Sequence, residues 1–383
     1  MSKTVLVFRD YYLPGFKSGG PIRSLSNLVE ILGDEYDFKI VTADRDEGDT
    51  TAYDSVEVGA WNPVGKAQVF YVSAEQNPIV VISKLLNQQD YSLIYLNSYF
   101  SARYTILPLL LRRLSLARNS RLVIAPRGEL SSLALGIKST KKTIFIALAR
   151  SIGLYSDALW QATDEAEVAQ IRRIMGKKTK VIVAGVAMPR FKSTELLKTR
   201  VRKEVGKLEI GFLGRVSPIK QLDFAFKVLS KVREGDVRFH IHGPEEDRVY
   251  VRRCKRLLEA LPTNIEVIFH GPLDNAQVHE TLSQYDLMFM PSKSESFGHA
   301  IFESLKAACP VLIGPNTPWR ELEEKMAGWD RSFENVDAFA EILRAAIKMD
   351  ASEFAPWHQG ALNLAAEYVN ANGSEQAYRR LFA

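Results

Sequence analysis

The sequence predicts an α/β protein made of two doubly wound, parallel sheets, one in each half of the chain. Three observations lead there. Short apolar runs rich in β-branched residues recur along the chain, separated by roughly 15–30 residues of helical periodicity. The runs are continuous rather than alternating, which is the pattern of strands covered on both faces. The length of 383 residues, 46% hydrophobic and 25% charged, suits two globular domains with a core each.

In the first half the runs are TVLVF (4–8), FKIVTA (38–43), AQVFYV (67–72), SLIYLN (92–97), RLVIAP (121–126) and KVIVAG (180–185). In the second they are LEIGFLG (208–214), VRFHIHG (237–243), IEVIFHG (265–271), YDLMFMP (285–291) and CPVLIG (309–314). The division expected from them is 1–190 for the first domain, 191–360 for the second and 361–383 for a closing helical segment. The polar stretch 188–207 serves as linker. No repeat of 20–50 residues is present, which excludes solenoids and propellers. Cys254 and Cys309 are the only cysteines, so a disulfide scaffold is excluded and a reducing compartment fits. The one apolar run in the first 25 residues is broken by Arg9 and Asp10, too early for a secretory signal, and the expectation is a cytoplasmic protein.

Charge is unevenly placed. The net charge is +5, with +6 over residues 1–190 and −1 over 191–383. Residues 101–150 hold ten basic side chains and one acidic one, Glu129. Such a local excess points to an acidic partner for the first half. The stretches TILPLLLRRLSLARNSR and LALGIKSTKKTIFIALARSIGL interleave apolar faces with cations. Both are too short in apolar content to span a bilayer, and two readings stand: core helices with solvated cations, or helices lying on an anionic membrane surface. No helix-turn-helix, RNP or zinc pattern supports nucleic acid as the partner.

Doubly wound sheets bind ligands beyond the carboxyl ends of their strands. In the second half every strand ends in a loop suited to that: GRVSPIK, HGPEED, HGPL, PSKSESFG and GPN. Arg215 and Lys220 stand just past a strand, at the mouth of a helix expected from about 219, where two cations and a helix N-terminus would hold a diphosphate. Alone, this pair would read as solvated loop cations. The segment PSKSESFGHAIFESLKAACPVL adds Glu295 in a loop and Glu303 on the following helix, expected over about 298–308. Eight helical steps return to within about 80° of the starting direction, so the two carboxylates would line one wall. Carboxylates accept paired hydrogen bonds from vicinal hydroxyls, which suits sugar and ribose. The amides of Phe297, Gly298 and His299 would open the helix toward a phosphate.

GRVSPIK followed by ESFGHAIFE resembles the signature of the retaining glycosyltransferases of family 4 (glycosyl transferase group 1), most strongly over 208–320. The resemblance implies the GT-B fold, two Rossmann-like domains facing a central cleft, with the first taking the acceptor and the second a nucleotide sugar. It implies that Arg215 and Lys220 meet the diphosphate, Glu295 the transferred sugar and Glu303 the ribose, with Gly214 among the donor-binding residues. Leu273 would meet the base, Gly243 would border the donor site, and Phe297, Gly298 and His299 would offer main-chain contacts. It further implies that PGFKSGGPIRSL (14–25), with Gly19 and Gly20 heading a helix near Pro21, closes over the donor phosphates. Many relatives carry a His near the transferred sugar where APRGEL (125–130) has Arg127. Arg127 and Glu129 are therefore candidate active-site residues, and Asp46 in VTADRDEGDTTAY (41–53) is a candidate acceptor contact. The chain end is expected to cross back onto the first domain, as in GT-B relatives.

The reaction implied is transfer of a sugar from a nucleotide diphosphate sugar, UDP first and GDP second, to a hydroxyl of a lipid-linked or surface glycan. Arg215, Lys220 and the helix opening at Gly298 would stabilise the leaving diphosphate, with Glu295 and Arg127 beside the sugar. No metal or other cofactor is expected, and the six histidines are scattered without ligand spacing. Two rival readings are a sugar-nucleotide epimerase of the same fold and a non-catalytic nucleotide-sugar-binding scaffold at the membrane.

Overall fold

The computed structural model describes residues 3–114, 120–136, 139–189, 191, 203–274, 276–371 and 373–383. Most of the expected linker, 188–207, and the residues 115–119 and 137–138 of the two basic stretches lie outside this set. The chain forms two compact units, Met1–Pro189 with Asn372–Ala383, and Arg190–Ala371.

The first unit is built on eight described strands: β1 (Lys3–Phe8), β2 (Tyr36–Ala43), β3 (Trp61–Val64), β4 (Ala67–Val72), β5 (Leu93–Leu96), β6 (Arg121–Ile124), β7 (Leu159–Ala162) and β8 (Val181–Val183). They lie in the order β3-β4-β2-β1-β5-β6-β7-β8, all parallel except β3 against β4. Continuous apolar runs become strands here because both faces are covered: Val5 to Phe8 of β1 are wholly buried. Two strands carry no such run. β3 is Trp-Asn-Pro-Val, whose proline is tolerated because the strand lies at the sheet edge, and Trp61 packs edge-on against Phe70 at 5.4 Å. β7 has Gln161 at its centre, and that amide donates to Ala184 O at 2.7 Å and to Tyr378 Oη at 2.8 Å.

The second unit has six described strands: β9 (Lys207–Leu213), β10 (Asp236–His242), β11 (Ile265–Gly271), β12 (Leu287–Met290), β13 (Val311–Ile313) and β14 (Gly328–Asp330). Their order is β11-β10-β9-β12-β13-β14, all parallel. The order reverses between β1 and β5 in the first unit and between β9 and β12 in the second. Those switch points, at the carboxyl ends of the strands, are where a doubly wound sheet holds its ligands.

The expected boundary at 360 is corrected by the structure. The helix Ala351–Ala371 runs unbroken past it and stays with the second unit. It buries Phe354, Trp357, Ala361, Leu362, Leu364 and Ala365, and Trp357 stacks on Trp329 at 4.1 Å. Only then does the helix Ser374–Phe382 join the first unit. Phe382 packs edge-on against Tyr36 and Tyr95, at 5.5 and 5.4 Å, and Arg379 grips Glu35 with contacts of 2.9 and 2.7 Å.

Candidate functional site

In the second unit the strand-end loops are stitched to one another by main-chain hydrogen bonds. Lys293 N donates to Ile219 O at 2.8 Å, tying the loop after β12 to the loop after β9. Glu295 N donates to Asn316 O at 3.0 Å, tying it to the loop after β13. On the other side of β9, Gly214 N bonds His242 O at 2.9 Å and Gly243 N bonds Gly271 O at 2.7 Å. Gly243 has φ 151°, and a Cβ there would stand 2.0 Å from Gly214 O. Only glycine lets these two strand ends approach so closely.

Lys220 and Glu295, 75 residues apart in sequence, form an ion pair between the loops after β9 and β12. Both are largely buried, with side chains 17% and 14% exposed. Half-sequestered charges hold each other firmly when one would otherwise be left unpaired. The ammonium retains further donors, which this pairing aims. Arg215 is different: it is exposed and meets Glu246 at 3.3 Å, a surface contact of small energetic worth. The helix beyond Lys220 begins at Leu222 rather than 219, because Gln221 takes a left-handed conformation (φ 51°) and donates to Pro291 O at 2.8 Å.

The helix His299–Lys306 is capped by Gly298 at φ 80°, ψ 64°, with no side-chain cap. Its first intrahelical bond is Phe302 N to Gly298 O at 3.0 Å, so the earlier N–H groups point out of the helix end. The ring of Phe297 is buried against Trp319 and Tyr368, at 5.5 and 5.3 Å, and its carbonyl accepts from Trp319 Nε1 at 2.6 Å. Phe297 is thus a packing residue that fixes where the helix starts. Glu303 is half-buried on this helix, and Leu273 is half-buried in the loop after β11. Burial holds His279 below its ordinary pKa; Lys306 lowers it further and Glu303 works the other way.

The structure also gathers three of the histidines that look scattered in sequence. His242 and His270 stack at 4.5 Å, His240 and His270 at 5.2 Å, and His240 lies over Tyr285 at 4.9 Å. His240 bonds Glu209 at 2.8 Å, and His242 bonds Tyr285 Oη at 2.6 Å. Burial, with His270 and His240 adding to it, pushes the His242 pKa down to about 4. Parallel register does this: Glu209 and Gly211 on β9 neighbour Arg238 and His240 on β10, which no linear spacing reveals. Among the described residues no group of three or more His, Cys, Asp or Glu could hold a metal ion.

In the first unit Gly19 has φ 63° and caps the helix Gly20–Leu32, with Pro21 in its first turn. The loop before it is held from within by Asp46, which accepts from Phe16 N at 2.7 Å, Lys17 N at 3.0 Å and Glu47 N at 2.8 Å. Asp46 is buried, so the expected acceptor contact is corrected: the carboxylate faces the loop, not a ligand. Glu129 likewise points inward. It accepts from Ser98 Oγ at 2.8 Å, Tyr99 N at 2.7 Å and Phe100 N at 3.0 Å, while burial raises its pKa against those bonds. Arg127 has φ 55° and reaches back to Asn97 Oδ1 at 3.0 Å and Tyr95 Oη at 2.8 Å. Behind it lies Arg9, at the end of β1, which donates through Nη1 to Asn97 O. Arg9 and Asn97 escaped the sequence reading, although each directly follows an apolar strand, the one signal that could have marked them.

Residues 193–356 match the family described as glycosyl transferases group 1. The second unit thus carries a stretch similar to the glycosyltransferases of this group. A Klebsiella pneumoniae protein described as an uncharacterized 41.2 kDa protein in the cps region is 24% identical over 276 residues, 71% of this chain and 74% of that one. The sulfoquinovosyl transferase SQD2 of Arabidopsis thaliana is 29% identical over 127 residues, 32% of this chain and 22% of that one. Among solved structures, Anabaena Alr3699/HepE in complex with UDP-glucose shares the fold with a TM-score of 0.68 at 17% identity, over 99% of each chain. The two doubly wound sheets are thus a GT-B pair.

Proposed function

We propose that this chain is a glycosyltransferase that moves a sugar from a nucleotide diphosphate sugar, UDP-linked first and GDP-linked second, to a hydroxyl of a polysaccharide or lipid-linked glycan, with retention and without a metal. The observation that carries this is the Lys220–Glu295 pair between two strand-end loops at the β9/β12 switch point, beside the helix that opens at Gly298. When the bond to the anomeric carbon breaks, negative charge grows on the leaving diphosphate. An aimed ammonium, Arg215 and outward helix N–H groups are suited to stabilise it. Glu295, fixed by the same pair, would receive hydroxyls of the transferred sugar, and Glu303 those of the ribose. Gly214, Gly243, Leu273, Phe297 and His299 would frame the nucleotide through main-chain atoms, and Gly19 and Gly20 stay candidates for phosphate contact on the first unit's own loop. In the first unit both Asp46 and Glu129 are engaged by main-chain N–H groups, which leaves neither placed as a nucleophile. Front-side attack, with the departing phosphate taking the acceptor proton, fits that arrangement. The UDP-glucose of the Anabaena structure and the cps context of the Klebsiella protein support the substrate classes.

The same reading places the enzyme at an anionic membrane surface. No helix of the described residues is long and apolar enough to cross a membrane. The helix Ser139–Ser151 nevertheless exposes Ile144 and Leu148, at 63% and 58%, next to the exposed cations Lys141 and Arg150. Leu110 and Leu114 are also exposed, and Arg113 donates to Ile152 O at 2.6 Å, tying the two segments together. Apolar side chains facing outward among cations suit insertion between anionic headgroups.

The test is a thermal-shift panel of UDP-, GDP-, ADP- and dTDP-sugars, run without metal, with magnesium and with EDTA. Ligand at about 100 times its Kd adds roughly 2.7 kcal/mol of apparent stability. A shift with UDP-sugars that EDTA leaves intact is the expected result. Absence of any shift would put the scaffold reading ahead, and a shift lost in EDTA would overturn metal independence.

A further inference from the structure

At the β1/β5 switch point of the first unit, three residues joined through Asn97 each keep a buried donor with no partner: Arg9 Nε, Asn97 Nδ2 and Arg127 Nη1. Arg9 and Asn97 are 7% and 2% exposed. Buried polar groups are nearly always satisfied, so three unmet donors in one place call for an explanation. The acceptors around them are already engaged. Asn97 Oδ1 takes Arg127, Asn97 O takes Arg9, Tyr95 Oη accepts from Arg127 while donating to Gln161, and Tyr378 Oη, also beside Arg127, accepts from Gln161 at 2.8 Å. The nearby acids are also engaged: Asp10 accepts from Ser101 Oγ at 2.7 Å, and Glu129 and Glu167 each accept main-chain N–H groups. What this cluster has left over is three donors, and leftover donors suit a group that accepts. A sugar hydroxyl fits poorly, because its own hydrogen would need an acceptor there. A carboxylate fits: it has two oxygens, no hydrogen, and a charge that relieves the two guanidinium groups of their mutual repulsion. Asp10 and Glu129 beside Arg9 limit the tolerated charge, favouring a monoanion over a phosphate dianion.

Arg127 itself sits in the left-handed region at φ 55°, followed by Gly128 at φ 80°. That conformation is costly for a side chain larger than glycine and is kept where the surroundings demand it. Arg127, Gly128 and Glu129 are only half-buried, so the cluster opens to the surface at the end of β6.

We infer that Arg9, Asn97 and Arg127 form a subsite for the carboxylate of an acidic sugar, so that this enzyme handles a uronic acid as donor or acceptor. The inference rests on the glycosyltransferase reading for the origin of the sugar, but not on the donor-site assignment in the second unit. The experiment measures, on the full chain by calorimetry, two ratios of affinity: UDP-glucuronate against UDP-glucose, and methyl glucuronide against methyl glucoside. UDP alone is titrated beside them. The expected result is a preference of about tenfold or more for the acidic member of one pair, the size of one or two hydrogen bonds to a charged group. The pair that shows it tells donor from acceptor. In Asn97→Asp, which keeps the Oδ1 acceptor for Arg127 and removes the free donor, that ratio should fall to within about threefold. If that variant does not fold, Arg127→Lys, which keeps the charge and removes the fork, should do the same. Ratios within about threefold in both pairs of the wild-type protein would overturn the subsite, as would a preference that survives the substitution. Failure of UDP to bind would sink the donor site alone, since the methyl glycosides still read the subsite.

Discussion

The strand ends of the two units solve the same problem with opposite chemistry. In the second unit the charges are paired and partly open: Lys220 with Glu295, Arg215 with Glu246, over a floor drawn tight by Gly243. In the first unit the acids are turned inward to hold loops, while the guanidinium groups of Arg9 and Arg127 keep donors in reserve. The lesson is that a candidate site is recognised by what its polar atoms have left over. By that measure Glu129 and Asp46, the acids first singled out by sequence, are scaffolding, and Asn97 beside Arg127 is the more telling residue.

Four experiments would break or sharpen this contrast. The largest effect should come from Gly243→Ala. Its Cβ would collide with Gly214 O, with a cost of about 3 kcal/mol or more and loss of UDP binding, read by thermal melts and titration. A melt within a degree of wild type would mean that the strand ends of the second unit are looser than described. Next, Lys220→Ala should lower kcat/KM by about 10²–10³, the usual loss on removing one group that stabilises developing charge. Arg215→Ala should cost less, because its side chain is exposed and weakly held. Equal losses would dissolve the distinction between the paired and the open cation.

The third concerns His242, held at a pKa of about 4, below its ordinary 6.5. Its neutral form is the one folding favours. Between those pH values the unfolded chain takes up the proton and the folded chain does not, so stability is full above pH 6.5 and declines as pH falls toward 4. The whole span is worth at most about 3 kcal/mol. His242→Gln should flatten that limb of the melting temperature against pH, and an unchanged limb would assign it elsewhere. The smallest effect is expected on the first unit's surface. Leu148→Glu should weaken sedimentation with anionic vesicles by about tenfold, roughly one buried leucine, while the UDP titration stays as it was. Equal vesicle binding would leave the exposed face as ordinary surface.

Much of the fold was legible because parallel strands buried on both faces write themselves as unbroken apolar runs, and every run read from the sequence became a strand. The three strands without such runs are short and punctuated: Trp61–Val64 contains proline, Leu159–Ala162 contains a glutamine whose hydrogen bonds come from distant elements, and Gly328–Asp330 is a glycine, a tryptophan and an acid. The donor-side candidates were legible because loop and helix lie side by side in sequence. The pairing of Lys220 with Glu295 was not, nor the histidine stack, nor the meeting of Arg9 with Asn97. Each depends on which strands are neighbours, and strand order reverses sequence order at the points that matter.

The helix Ser374–Phe382 brings a consequence for how the protein is made. Tyr378 takes a hydrogen bond from Gln161, Gln161 takes one from Tyr95, and Tyr95 takes one from Arg127. This helix therefore braces a residue some 250 positions before it in sequence. The described strands and helices of the second unit all precede residue 372, whereas the first unit waits for the helix Ser374–Phe382 to cover its sheet. During translation the second unit would be ready first. A break in the chain between residues 371 and 374 would therefore leave the second unit whole while Arg127 loses its brace, so that one half could be stable and the other incomplete.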